Sequence, residues 1–226
     1  MKRSQINRIL EDSDTVLRQH GYVLPPFAYW SPEEMQAADH RGLVERGLGW
    51  DITDYGQGRF DELGLFLFTT RNGRVADLSA GRGMLYAEKV MISRKDQLSP
   101  MHRHILKTED IVNRAGGTLK IEHFASAPAG SIARARDVEV PVDAQRRNLP
   151  AGGKLKLSPG ESVTLFPGVW HAFWGEGADV VIGEVSTVND DLTDNIFEDP
   201  IGRFSTIEED TAPTHLLVSD YERFLA

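Results

Sequence analysis

The spacing of hydrophobic positions changes character along the chain. Ile6, Ile9, Leu10, Val16 and Leu17 recur at helical intervals, and Ser4 is placed to cap the helix they predict. After Gly21 and Pro25-Pro26, the run Ser31-Pro32-Glu33-Glu34 supplies an N-cap, a proline at the first helical position and a capping-box glutamate, which predicts a second short helix. From Leu63 onward, runs of β-branched and aromatic residues alternate with glycine, proline or asparagine, and six strands are predicted over 63–70, 86–92, 118–124, 138–142, 162–166 and 180–188. Asn72-Gly73, Gly116-Gly117, Gly152-Gly153 and Pro159-Gly160 read as turns. The last stretch, 189–226, is acidic and less regular. Its apolar residues Phe197, Ile201, Phe204, Leu216, Leu217, Tyr221 and Phe224 predict a segment that packs back on the core.

Many short strands at loop-sized spacing imply an all-β dominated chain, an antiparallel sandwich or barrel with helices packed outside. At 226 residues the chain suits one domain, with a helical extension over 1–60, a barrel over 61–190 and a returning segment over 191–226. A chain of this size buries roughly 70% of the surface exposed on unfolding, so it needs no covalent staples. It has no cysteine, which removes disulfides and thiolate chemistry, and any metal site must use histidine and oxygen ligands. No apolar leader follows Met1-Lys2-Arg3-Ser4 and no run approaches about 18 apolar residues, so a soluble, cytoplasmic protein is expected. The net charge of −9, with both signs interspersed, argues against a nucleic-acid surface. Arg134, Arg136, Arg146 and Arg147 are diluted by Asp137, Glu139 and Asp143 and read as a solvated region.

One stretch carries specific chemistry. His102 and His104 are two residues apart and share a face if the segment is a strand. Glu109 follows five residues later, and His171 ends Pro167-Gly168-Val169-Trp170-His171, a tight turn feeding another strand-like run. Three imidazoles and a carboxylate on a rigid scaffold suit a divalent first-row metal with positions left for water or substrate. The ordinary alternative is two surface histidines and an unrelated third.

His102, His104, Glu109 and Gly116, with Gly160, Pro167 and His171, resemble the two cupin motifs, although the second-motif proline sits one place late and Gly175 stands where many members have asparagine. That resemblance implies a cupin β-barrel of jelly-roll type and a metal held by His102, His104, Glu109 and His171. Over nearly the full length, the chain is further similar to bacterial D-lyxose ketol-isomerases. The similarity runs through Leu24-Pro25-Pro26-Phe27, Leu48-Gly49-Trp50-Asp51, Tyr86-Ala87-Glu88-Lys89, Asp110-Ile111-Val112-Asn113-Arg114, Leu157-Ser158-Pro159-Gly160-Glu161, Glu184-Val185-Ser186-Thr187-Val188-Asn189-Asp190 and Asp220-Tyr221.

The second resemblance implies metal-dependent interconversion of D-lyxose and D-xylulose, with D-mannose and D-fructose as a side pair, by proton transfer through a cis-enediol. It also implies Mn²⁺ or a similar ion and a homodimer. Such a reaction needs carbonyl polarisation, a base and an acid. By the residues alone Lys89 is either a cation in the cavity or a lysine reaching the barrel rim, and Lys107 is a loop lysine. The resemblance makes Lys89 a substrate-binding residue and Lys107 a substrate contact with a catalytic role. Ile207-Glu208-Glu209-Asp210 is by itself an acidic surface run; the resemblance assigns an essential carboxylate there to Glu209, with Glu208 open, and an acidic active-site role to Asp220. Glu184 stands out from an apolar strand, either as a hydrogen-bond partner of a ligand histidine or as an edge carboxylate. One or two of Phe166, Trp170, Phe173 and Trp174 are expected to line the barrel, and His20, His40, His123 and His215 have no partner at metal-like spacing. The same four ligands with Fe²⁺ suit a dioxygenase, and a non-catalytic sugar-binding cupin is a third reading.

Overall fold

The computed structural model describes residues 1–225; Ala226, the end of the returning segment, lies outside the described residues. The first helix, α1 (Arg3–Gln19), buries Ile6, Ile9, Leu10 and Leu17 as its stripe predicts. Its cap differs from expectation. Lys2 occupies the N-cap without a side-chain bond, and Ser4 lies inside the first turn. Its backbone N–H and its hydroxyl both donate to Asp210. A carboxylate from the far end of the chain therefore meets the free amides of this helix, a role that local spacing assigns to a neighbouring hydroxyl. In α2 (Pro32–Ala37) the expected capping box forms, with Ser31 and Glu34 bonded reciprocally.

The strands are β1 (Gly49–Thr53), β2 (Leu65–Asn72), β3 (Tyr86–Ser93), β4 (Ser99–His104), β5 (Glu109–Ser126), β6 (Ile132–Ala133), β7 (Val138–Val142), β8 (Gln145–Leu149), β9 (Gly153–Leu157), β10 (Ser162–Leu165), β11 (Trp170–Thr187) and β12 (Asn195–Phe197). All named pairs are antiparallel, as expected for an all-β chain. Strands β5 and β11 span 18 residues each, pair with one another throughout, and are shared by two layers. Residues 180–187 of β11 pair with β3 and residues 109–112 of β5 pair with β10, giving the layer β1-β2-β3-β11-β5-β10-β7-β8. The other halves pair with β4 and β9, and β12 joins β4. The bend between halves falls at Gly116-Gly117, where the register with β11 shifts between Glu176 and Val180. This pair was expected to be a turn. Gly116 has φ +93°, and a side chain on Gly117 would meet the carbonyls of Ala178 and Glu176 at 2.6 and 2.7 Å, so the two glycines let a continuous strand fold over.

Two apolar clusters lie on opposite faces of the larger layer. Leu65, Leu67, Met91, Ile111, Ile121, Val163, Phe173 and Ile182 fill the space between layers. Phe66, Phe68, Val90, Ile92 and Val181, the alternate positions, pack against α1. The extension over 1–60 is not wholly helical: β1 lies within it and continues the sheet through β2. The returning segment contributes to both clusters. Phe197 and Ile201 meet the inner cluster and Leu217 the outer one. No described helix is long and apolar enough to cross a membrane.

Candidate metal and sugar site

Strand pairing brings the separated histidines together. His102 on β4 lies opposite His171 on β11, and alternation keeps His104 on the same face as His102. One ring nitrogen from each of the three lies within 4.8 Å of the others. His102 Nδ1 bonds the carbonyl of Pro100 at 2.9 Å, and His171 Nδ1 bonds that of Val169 at 3.1 Å. A carbonyl only accepts, so both rings carry the proton on Nδ1 and present the Nε2 lone pair. Glu109 Oε1 is 3.2 Å from both His104 Nε2 and His171 Nε2. His104 Nε2 and Glu109 Oε1 are nonetheless buried without an aligned hydrogen bond among the described residues. Orphaned acceptors are rare in a protein interior. A divalent cation satisfies all of them at once, so the donor set fits a metal.

Electrostatics point the same way. Burial, with the neighbouring imidazoles His171 and His104, pushes His102 well below the ordinary histidine range. Burial also lowers His104, assisted by the charge of Lys107. Burial alone would raise Glu109, but the Lys107 ammonium and His104 hold it well below the carboxylate range. Neutral rings and an ionised carboxylate are the forms that bind a metal.

From Glu109 a line of alternating charges runs along a small cavity of about 50 Å³. Glu109 pairs with Lys107 at 2.7 Å, Lys107 with Glu184 at 2.9 Å, and Glu184 with Lys89 at 3.7 Å. Lys89 then meets Asp191 at 3.5 Å, Asp191 meets Arg203 at 3.5 Å, and Arg203 meets Asp51 at 2.6 Å. Asn189 Oδ1 accepts from both lysines, at 2.7 and 3.4 Å. Burial would neutralise Lys107, but Glu109 and Glu184 raise it instead. Burial would likewise protonate Asp191, and Lys89 and Arg203 keep it ionised. Arg203 Nη1 at the far end has no partner among the described residues and is a free donor for a hydroxyl. Tyr55, held at φ +54°, bonds Ser99 across the cavity and stacks edge-on against Phe197, which in turn lies against His102.

Of the residues expected from sequence, His102, His104, Glu109, His171, Lys89 and Lys107 line one cavity. Glu184 joins them as the partner of both lysines. Glu209 and Asp220, for which catalytic and substrate-binding roles were expected, are not among the lining residues. Glu209 bonds Arg3 through both oxygens and takes a further bond from Arg223. Asp220 is also bidentate to Arg3, whose side chain is fully buried. Their carboxylates are consumed in neutralising an interior guanidinium. Phe173 lines the cavity; Phe166 is exposed, and Trp170 is buried with its N–H on the Gly130 carbonyl. Asp51, Asp191, Asn189, Asp194 and Arg203 were not read as site residues. The acidic start of the returning segment was visible, but no local pattern marks Arg203.

A family model for D-lyxose isomerase matches residues 1–221. The chain belongs to the D-lyxose isomerase family. It is 45% identical over 232 residues to a D-lyxose/D-mannose isomerase of Serratia proteamaculans, covering all of both chains. It is 42% identical over 229 residues to another of that name from Escherichia coli O157:H7, covering 99% of this chain and 100% of the relative. The structure of Cellulomonas parahominis L-ribose isomerase with L-psicose shares the cupin-like fold. The TM-score is 0.63 at 16% identity, over 92% of this chain and 98% of that one. This D-lyxose isomerase family member thus has the barrel that its two motifs imply.

Proposed function

We propose that the protein is a metal-dependent aldose–ketose isomerase that interconverts D-lyxose and D-xylulose, with D-mannose and D-fructose as a second pair. The observation that carries this reading is the junction of a three-histidine, one-carboxylate ligand set with the buried Glu109–Lys107–Glu184 ion pairs. The names of the two full-length relatives support the sugar. His102, His104, Glu109 and His171 would hold the metal, for which Mn²⁺ is proposed. Bound there, such an ion supplies Lewis acidity toward sugar oxygens without redox change.

The remaining chemistry belongs to the side chains. Glu184 takes the proton from C2 of the open aldose and returns it to C1, giving a cis-enediol between the two steps. Lys107, kept charged by two carboxylates, gives a proton to O1 as negative charge develops there and takes back the proton of O2–H when C1 is protonated, so that one proton passes from C2 to C1 and one from O2 to O1. Lys89 and Arg203 with Asp191 hold the remaining hydroxyls. A cavity of about 50 Å³ has room for a few waters. A sugar therefore enters as the lysines and carboxylates exchange partners for its hydroxyls, which excludes water from the reacting carbons. The same reading includes a cytoplasmic homodimer. Its support is apolar surface on the outer face of adjacent strands, where Tyr86 and Val185 are 49% and 44% exposed.

The test is conversion of D-lyxose by chelator-stripped protein with and without Mn²⁺, run beside D-mannose in deuterated water. Manganese-dependent D-xylulose carrying solvent deuterium is expected. Product without label, despite ample turnover, would replace proton transfer by hydride transfer. No product with any divalent metal would overturn the reading.

A further inference from the structure

The ligand histidines are not held alike. His102 and His171 each fix their tautomer by giving Nδ1–H to the carbonyl two residues before them. His104 has no such bond: its Nδ1 is buried and without a partner among the described residues. On that side stands Asp194, with Oδ2 3.9 Å from Nδ1. Asp194 is 6% exposed and already engaged. Its Oδ1 accepts from the backbone N–H groups of Ile105 and Leu106 at 2.8 and 2.7 Å, and its Oδ2 from that of Lys107 at 3.0 Å. One carboxylate thus gathers three successive amides of the loop that joins His104 to Glu109. Such a cluster of N–H groups prefers a full negative charge. Asp194 is placed by its own surroundings: its N–H donates to Asp190, whose carboxylate orders Leu192 and Thr193, and Asn195 beside it pairs with His104 in β12.

Resting on the metal reading above, we infer that Asp194 is the positioning residue for both His104 and Lys107. It anchors the 105–107 loop, so that Lys107 reaches Glu109 and Glu184, and it is the acceptor toward which His104 turns Nδ1–H while Nε2 faces the metal. A shift of roughly 1 Å brings the 3.9 Å separation into hydrogen-bond range. A carboxylate behind a ligand imidazole raises its basicity and fixes its orientation, and removal of such a partner weakens metal binding about 10–100-fold.

Manganese affinity of stripped protein, measured by competition with a chelator, separates this role from simple loop stability. Asp194→Asn is expected to bind Mn²⁺ about 10–100-fold more weakly. Asp190→Asn, which loosens the adjacent turn without approaching His104, is expected to stay within about threefold. Equal affinities for Asp194→Asn and the parent, or an equal loss in Asp190→Asn, would overturn the inference. Failure of the parent itself to bind any divalent ion would instead overturn the metal reading. A second measurement needs no variant that must fold: nitrogen NMR of the imidazoles in the zinc-loaded parent. All three ligand rings are expected to be protonated at Nδ1. His104 protonated at Nε2 would show that it does not give a proton to Asp194.

Discussion

Glu184 and Glu109 project from neighbouring strands onto one lysine, and their surroundings divide the work between them. Glu109 lies 3.2 Å from the imidazoles of His104 and His171 and is held strongly ionised, which suits the proposed role of a ligand and not a group that must collect a proton. Glu184 pairs with the two ammonium groups and, among the described residues, forms no ion pair with a histidine. Glu184→Gln is therefore expected to lower kcat by about 100-fold or more, the range for loss of general base catalysis, while Mn²⁺ affinity measured by chelator competition stays near that of the parent. His123 is a second case in which surroundings decide behaviour. It lies opposite His171, is fully buried, and neither nitrogen has a partner among the described residues. Burial, with His171 adding to it, pushes the ring down to about 3. The unfolded chain takes up a proton below roughly pH 6.5, and the folded chain does not until about pH 3. Stability of the stripped protein thus falls as pH drops through that window. His123→Leu is expected to flatten part of this slope in urea titrations at pH 7, 6 and 5; an unchanged slope would mean that His123 is not the group responsible.

At the scale of elements, the notable construction is the clamp between α1 and the returning segment. Arg3 is fully buried in the first turn of α1 and holds Glu209 and Asp220 bidentately, more than 200 residues away in sequence. Ser4 and Asp210 add a parallel tie. Removing one of the two carboxylates on Arg3 leaves the buried guanidinium only half compensated, at a cost of about 3 kcal/mol, the low end of the range for a broken buried pair. Asp220→Ala is expected to show a loss of that size in denaturant unfolding. Glu209 is partly exposed, with 27% of its side chain accessible, so Glu209→Gln should cost about 1 kcal/mol. Its turnover of D-lyxose should stay within about threefold of the parent. A larger loss of kcat with unchanged stability would return Glu209 to the catalytic machinery. The clamp has a functional side as well, because the segment that it fastens also carries Asp191 and Arg203 to the cavity.

At the scale of the whole molecule, the site lies where the chain's parts converge: β4, β5 and β11 give the proposed metal ligands, β1 gives Asp51, and the returning segment gives Asp191, Asp194 and Arg203. Metal binding should therefore stabilise the whole fold. At a free Mn²⁺ concentration about 100-fold above Kd the gain is about 2.7 kcal/mol, which raises Tm by roughly 5–10 °C for a chain of this size. Calorimetry of stripped and reloaded protein checks this; an unchanged Tm would mean that the ligand set does not bind the ion. The clustering of His102, His104 and His171 was legible in sequence because it depends on short-range geometry: alternation puts His102 and His104 on one face, and a Pro-Gly turn starts the strand of His171. The helical stripe of α1, the capping box at Ser31 and most strands follow from equally local rules. Gly116-Gly117 was misread because the same backbone freedom serves a turn or a bend within a strand, and only the register of β5 against β11 distinguishes them. The resemblance gave Glu209 a catalytic and Asp220 a substrate-binding role, and no local pattern marks Arg3 as the partner that both carboxylates share. Composition, period and spacing thus determined an all-β sandwich or barrel, its outer helix and the four candidate donors, since those are properties of neighbouring residues. Which charge meets which across the cavity was decided by tertiary structure alone, because a buried ion pair is made by the packing of distant segments and leaves no periodic trace along the chain.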